Sequence, residues 1–84
     1  MYNLDPTKEF AKSLKKFSNN EQRIVATKLN LLKQNPHHPS LRTKKIQGLK
    51  DVFECSVNMD IRILWKYAGN RLILLINIGH HDII

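Results

Sequence analysis

Apolar positions in the first third of the chain recur at helical spacing. Phe10, Leu14 and Phe17 lie four and three residues apart, with Lys12, Lys15 and Lys16 off that stripe, which predicts an amphipathic helix. Asp5-Pro6 reads as its start: Asp can accept from the first free amides, and Pro suits the first helical position. Val25, Leu29 and Leu32, widened by Ile24 and Leu31, form a second stripe. Ser18 and Glu21 have capping-box spacing, so this helix should begin near Asn19. It should end at Asn35-Pro36, because the residue before proline is disfavoured in the helical region. About three residues join the two helices, so they should fold back as an antiparallel hairpin with one apolar face.

After Asp51 the period changes to two. Phe53, Cys55 and Val57 alternate with Glu54 and Ser56, and Ile61, Ile63, Trp65 and Tyr67 alternate with Arg62, Leu64 and Lys66. Gly69-Asn70 suits a two-residue hairpin turn. The next run, Leu72 to Ile76, is apolar on both faces, as a central strand would be. Tyr2 to Leu4 could add a short first strand. The stretch from Pro36 to Asp51 shows neither period and reads as an irregular basic connection. The helix hairpin would cover Phe53, Val57, Ile61, Ile63 and Trp65. The opposite face would then carry Glu54, Ser56, Arg62 and Lys66 around Leu64. The expected fold is α+β: an N-terminal helix hairpin on a small, mostly antiparallel twisted sheet of three to four strands, one domain over residues 1–84.

Composition narrows the class. The 42% of hydrophobic residues suffices for a folded domain and is too many for a disordered one. Fourteen Lys and Arg against seven acidic residues give a formal net charge of +7, which points to nucleic acid, an anionic surface or an acidic protein partner. A single cysteine, Cys55, excludes an internal disulfide and fits a reducing compartment. Lys8, Glu9 and Lys12 interrupt any signal-like run, and Leu72 to Ile76 is far too short to span a bilayer. A cytoplasmic protein without membrane attachment is expected.

The candidate chemistry lies at the end of the last strand, in Gly79-His80-His81-Asp82. Histidine has an unperturbed pKa near 6.5 and is the usual acid or base of proton transfer. Two histidines leaving a rigid strand on a cationic chain suggest chemistry on a polyanion. His37-His38 and His80-His81 also raise the question of a metal. Adjacent strand residues point to opposite faces and no zinc-type spacing is present, so neither a metal nor a cofactor is expected.

The order of two helices, basic connection, Gly48-Leu49-Lys50-Asp51 and a meander containing Asp60-Ile61-Arg62-Ile63-Leu64-Trp65 and Ile78-Gly79-His80-His81-Asp82 resembles the RelE/ParE superfamily of bacterial toxins. The likeness spans nearly the whole chain and is closest to the YafQ-type branch, whose members are ribosome-dependent messenger-RNA endoribonucleases paired with an antitoxin. The resemblance implies His81 as the catalytic histidine after Gly79, Asp60 as the acidic residue at the turn, and Arg62 as the phosphate ligand. It also implies a second carboxylate at Glu54 (or Asp51, if the gap moves) and a role for His38 in His38-Pro39. Lys44, Lys45, Lys50, Lys66 and His80 would contact RNA. It further implies an acidic antitoxin, messenger RNA and the ribosome as partners.

Two departures stand out. Ser56 occupies the place of a branch histidine, and the family's terminal aromatic, about four residues beyond the histidine, would fall one residue past Ile84. His80 or His38 could replace the missing histidine. The superfamily also contains ParE-like inhibitors of DNA gyrase, which have no hydrolytic site. A non-toxic basic domain that binds nucleic acid or an acidic partner is the third reading. Convergence of His81, Asp60 and Arg62 on one surface would favour the endonuclease, and scattering would favour the others.

Overall fold

A computed structural model describes residues 1–82. In chain order the elements are β1 (Asn3–Pro6), α1 (Lys8–Leu14), α2 (Asn19–Gln34), a 3-10 turn (Pro39–Leu41), β2 (Lys44–Lys45), β3 (Val52–Ser56), β4 (Ile61–Tyr67) and β5 (Leu72–His80). The strands form one five-stranded sheet in the order β1-β5-β4-β3-β2, with β1 parallel to β5 and the other pairs antiparallel. The α+β architecture matches expectation, with a higher strand count. Among the described residues no helix is long and apolar enough to cross a membrane.

The extra strand comes from the stretch that lacked a period. Lys44–Lys45 is too short to show alternation, yet Lys44 pairs with Glu54 and Lys45 with Phe53. The N-terminal element also begins differently. Asp5 and Pro6 belong to β1, opposite Leu74 and Leu75, so their backbone is committed to the sheet. Thr7 caps α1 instead: its hydroxyl accepts from Phe10 N at 3.1 Å and lies 2.9 Å from the Leu75 and Ile76 carbonyls. One side chain thereby ties helix start to central strand. The capping box of α2 is present, with Glu21 N to Ser18 Oγ at 3.1 Å and Ser18 N to Glu21 Oε1 at 2.9 Å.

The helix-covered face holds the core. Val25, Leu32, Leu41, Ile61, Ile63, Trp65 and Ile73 are fully buried, and Phe10, Leu75 and Ile78 nearly so. Trp65 stacks on half-buried Phe53 with ring centroids 4.8 Å apart. The β4–β5 link is longer than the two-residue turn expected: Ala68 N still bonds to Leu72 O, and Arg71 takes the left-handed conformation at φ 58°. Near its far end β5 carries a bulge opposite Leu64/Trp65, where Ile76 has no register partner. Asn77, just past it, accepts from Ser13 Oγ of α1 at 2.9 Å and from Ile78 N at 2.8 Å. The bulge and its tether to α1 set the direction in which Gly79, His80 and His81 leave the sheet.

Cys55 is 1% exposed on the core face, and burial, with the neighbouring Glu54 charge second, pushes its thiol up from 9.0 to about 12. Between those values the unfolded chain has lost a proton that the folded chain retains, so stability falls as pH rises from 9 towards about 12. The slope approaches about 1.4 kcal/mol per pH unit. Urea midpoints measured at pH 8 and pH 10.5 should show this loss, and Cys55→Ala should remove most of it, leaving the part due to Tyr67, whose hydroxyl is also pushed up by burial.

Candidate active site

The β3–β4 turn is shaped by Asn58, whose Oδ1 accepts from Asp60 N at 2.9 Å and from Ile61 N at 2.7 Å. This Asx-type arrangement pins the backbone and projects the Asp60 carboxylate outward. Two imidazoles meet that carboxylate: His80 Nδ1 lies 2.6 Å from Oδ2, and His81 Nδ1 lies 3.4 Å from Oδ1. The first is a short, charge-assisted contact and the second a loose one. The His80 hydrogen bond, with His81 next, holds the Asp60 carboxyl below its ordinary value. All three side chains are more than half exposed, so the cluster is open to a ligand.

This convergence corrects the expectation that His80 would point away from His81. Alternation of faces holds only within the pleat. His80 is the last residue of β5, paired with Ile61, and His81 lies in the turn beyond it. With the pleat ended, both rings reach one carboxylate. Among the described residues, no group of three His, Cys, Asp or Glu side chains is placed to hold a metal ion.

Arg62 sits in β4 between Ser56 of β3 and Gly79 of β5. Its Nη1 donates to the carbonyls of Asn58 at 2.7 Å and Ile61 at 3.2 Å, which folds the guanidinium over the turn. Among the described residues no carboxylate pairs with it. Arg62 also borders a hollow of about 270 Å³, whose lining includes Lys28 and Arg42 and the hydroxyl-bearing Ser40 and Ser56. Three cations and two hydroxyls around a concave space suit an anionic oxygen-rich group such as a phosphate. Met59, 93% exposed, stands at its rim.

Sequence reasoning missed Lys28, Ser40 and Arg42. Lys28 lies three residues after Val25 in the α2 stripe, where its charge could have flagged a helix face turned to a site. Arg42 follows the 3-10 turn in the left-handed region at φ 50°, a conformation that nothing in the local sequence announces.

Other expected residues lie elsewhere. Glu54 is 6% exposed and paired with Lys44 Nζ at 3.4 Å, because β2 places Lys44 directly opposite. It is a buried ion-pair partner, and the solvent-facing catalytic role expected for it does not fit. Lys44 is correspondingly engaged with Glu54. His38 caps the 3-10 turn, with Nδ1 accepting from Ser40 N at 3.1 Å and 2.9 Å from Ser40 Oγ. It holds Ser40 at the hollow, and among the described residues it makes no hydrogen bond to Asp60. Lys45 and Lys50 line a shallow depression in the Lys45–Lys50 loop, and Lys66 lies half-buried in β4 between Val52 and Leu74. The structure therefore joins Asp60, His80 and His81, folds Arg62 over the same β3–β4 turn, and leaves out Glu54, His38, Lys44, Lys45, Lys50 and Lys66.

No protein-family model matches the chain, and no curated protein matches it by sequence. Solved structures do. RelE in an archaeal RelE–RelB complex from Pyrococcus horikoshii superposes with a TM-score of 0.80 at 15% identity, covering 99% of this chain and 98% of that one. YafQ from E. coli gives 0.76 at 16% identity, covering 96% and 94%. A metal-bound toxin from Helicobacter pylori gives 0.71 at 25% identity, covering 98% and 97%. This chain has the fold of the RelE/ParE toxin superfamily. Within that RelE-like frame, the Asp60–His80–His81 cluster and the Arg62 hollow occupy the end of the sheet where the β3–β4 turn meets the exit of β5.

Proposed function

We propose that this RelE-like chain is the toxin of a toxin–antitoxin pair and cleaves messenger RNA, on the ribosome, as a metal-independent endoribonuclease. The observation that carries the reading is the meeting of two imidazoles on one carboxylate beside the cation-lined hollow. A surface used only for binding needs no such proton-transfer set. The fold likeness to RelE and YafQ supports the toxin class.

RNA cleavage by its own 2′-hydroxyl needs a base, an acid and compensation for charge on phosphorus. Asp60 accepts the Nδ1 proton of His80, which leaves Nε2 of that ring as the base for the 2′-hydroxyl proton. The 2′-oxygen then bonds to phosphorus and the bond to the 5′-oxygen breaks. His81, in its imidazolium form, gives a proton to the departing oxygen, leaving a 2′,3′-cyclic phosphate and a 5′-hydroxyl. Arg62, Lys28 and Arg42 stabilise the phosphoryl oxygens as their charge grows. Purified chain added to ribosomes stalled on a defined messenger should yield a cut in the open decoding site with a 5′-hydroxyl end. Intact messenger in that assay, together with double-strand breaks when gyrase and DNA are supplied, would replace this reading with the ParE-like one.

The partner we propose is an acidic antitoxin, supported by the formal charge of +7 and by the RelE–RelB assembly of the archaeal relative. Its negative side chains would cover Arg62, Lys66 and part of 44–50, with a segment that orders on binding.

A further inference from the structure

A second cavity, about 240 Å³, opens on the other flank of His80 and is lined by Ser13, Lys16, Phe17, Glu21, Gly79 and His80 together with Ile78. It plays no part in the proton transfers described above. Its size falls below the ~300–1,000 Å³ of pockets for drug-sized ligands and suits a single planar heterocycle. Phe17 and His80 sit 5.6 Å apart by ring centroid, inclined at 32°, and present aromatic surface to that space. His80 thus belongs to two places at once: its Nδ1 is held by Asp60 at 2.6 Å, and its ring borders the pocket.

We propose that this pocket receives the base of a nucleotide flanking the scissile phosphate, stacked on Phe17 and His80. The inference rests on the endoribonuclease reading and deepens it by assigning a base-selecting subsite. Stacking on an aromatic ring tolerates any base, so selectivity falls to the polar wall. Ser13 donates its hydroxyl proton to Asn77 Oδ1 at 2.9 Å, and Asn77 Oδ1 also accepts from Ile78 N at 2.8 Å. With its proton committed, Ser13 Oγ offers the pocket only acceptor lone pairs. At the position where purine C6 and pyrimidine C4 carry their exocyclic group, the amines of adenine and cytosine can donate to it, and the carbonyl oxygens of guanine and uracil cannot. Lys16 at the mouth supplies a donor for a ring nitrogen or a carbonyl oxygen. Phe17, from the segment between the two helices, would then supply a stacking ring from the N-terminal part of the chain.

The test is a map of messenger 5′ ends after brief induction of the full chain and of its Phe17→Leu and Ser13→Ala variants. Wild type should favour adenine and cytosine over guanine and uracil at one position flanking the cut. Phe17→Leu should lower cutting by about tenfold through the lost stack. Ser13→Ala removes that acceptor and should weaken the preference, with Glu21 the remaining acceptor of the wall; because it also cuts the tether to Asn77, the base distribution among the cuts is the readout and their total number is not. A base distribution unchanged in Ser13→Ala, at whatever level of cutting, would overturn the subsite alone. No cutting by wild type would overturn it together with the endoribonuclease reading.

Discussion

Replacing Arg62 with alanine should lower messenger-RNA cleavage by about 10²–10³-fold, the usual cost of losing a positioned donor where charge develops in the transition state. His80→Ala and His81→Ala should each lower it by about 10²–10⁴-fold, because removing either member of an acid–base pair stalls one proton transfer. Asp60→Asn should act in the same direction through His80, whose ring it orients at 2.6 Å. Arg62→Lys keeps the charge and loses the planar fork, so it should recover only part of the rate. His80, His81 and Asp60 side chains are all more than half exposed, so melting temperatures should stay close to wild type while rates fall. Rates measured on ribosome-bound messenger, alongside thermal melts, check both statements. Full cleavage in both histidine variants would remove the imidazoles from the chemistry.

The secondary structure was largely legible because its signals are local. The α2 stripe with its capping box, and the alternation of Ile61, Ile63 and Trp65, each sit within a few residues of one another. What escaped depended on distant pairing. Lys44–Lys45 becomes a strand only because Phe53 and Glu54 lie opposite. Pro6 remains in β1 because Leu75, far along the chain, is its partner. The burial of Glu54 follows from the same missed strand, which turned an apparent working carboxylate into the partner of Lys44.

Trp65→Ala should cost about 3–5 kcal/mol of folding free energy. The indole is fully buried, stacked on Phe53 at 4.8 Å and edge-on to Tyr67 at 5.1 Å. Its loss opens a void under the helix-covered sheet face, and α2 cannot collapse into it without moving Val25 and Leu32, both fully buried. Against a typical stability of about 5–15 kcal/mol, and with so short a chain at the low end, this approaches the whole margin. Equilibrium unfolding in urea followed by circular dichroism gives the number. A variant that unfolds within about 1 kcal/mol of wild type would mean that the helix-covered face does not depend on the indole.

The residues of the candidate site were legible in part, for a similar reason. Asp60, Arg62 and His81 stand at motif positions. The role of His80 depends on where the pleat of β5 ends, which the sequence Gly79-His80-His81 does not mark. Lys28 and Arg42 reach the hollow from α2 and from the residue after the 3-10 turn, and only the packing of those elements against β3 and β4 places them beside Arg62.

Mapping messenger 5′ ends genome-wide, minutes after inducing the full chain, tests the central claim most directly. The account predicts new 5′-hydroxyl ends inside translated messages with wild type, and their loss in the His80→Ala, His81→Ala double variant at equal expression. Growth arrest with intact messages, or the same ends produced by the double variant, would contradict it.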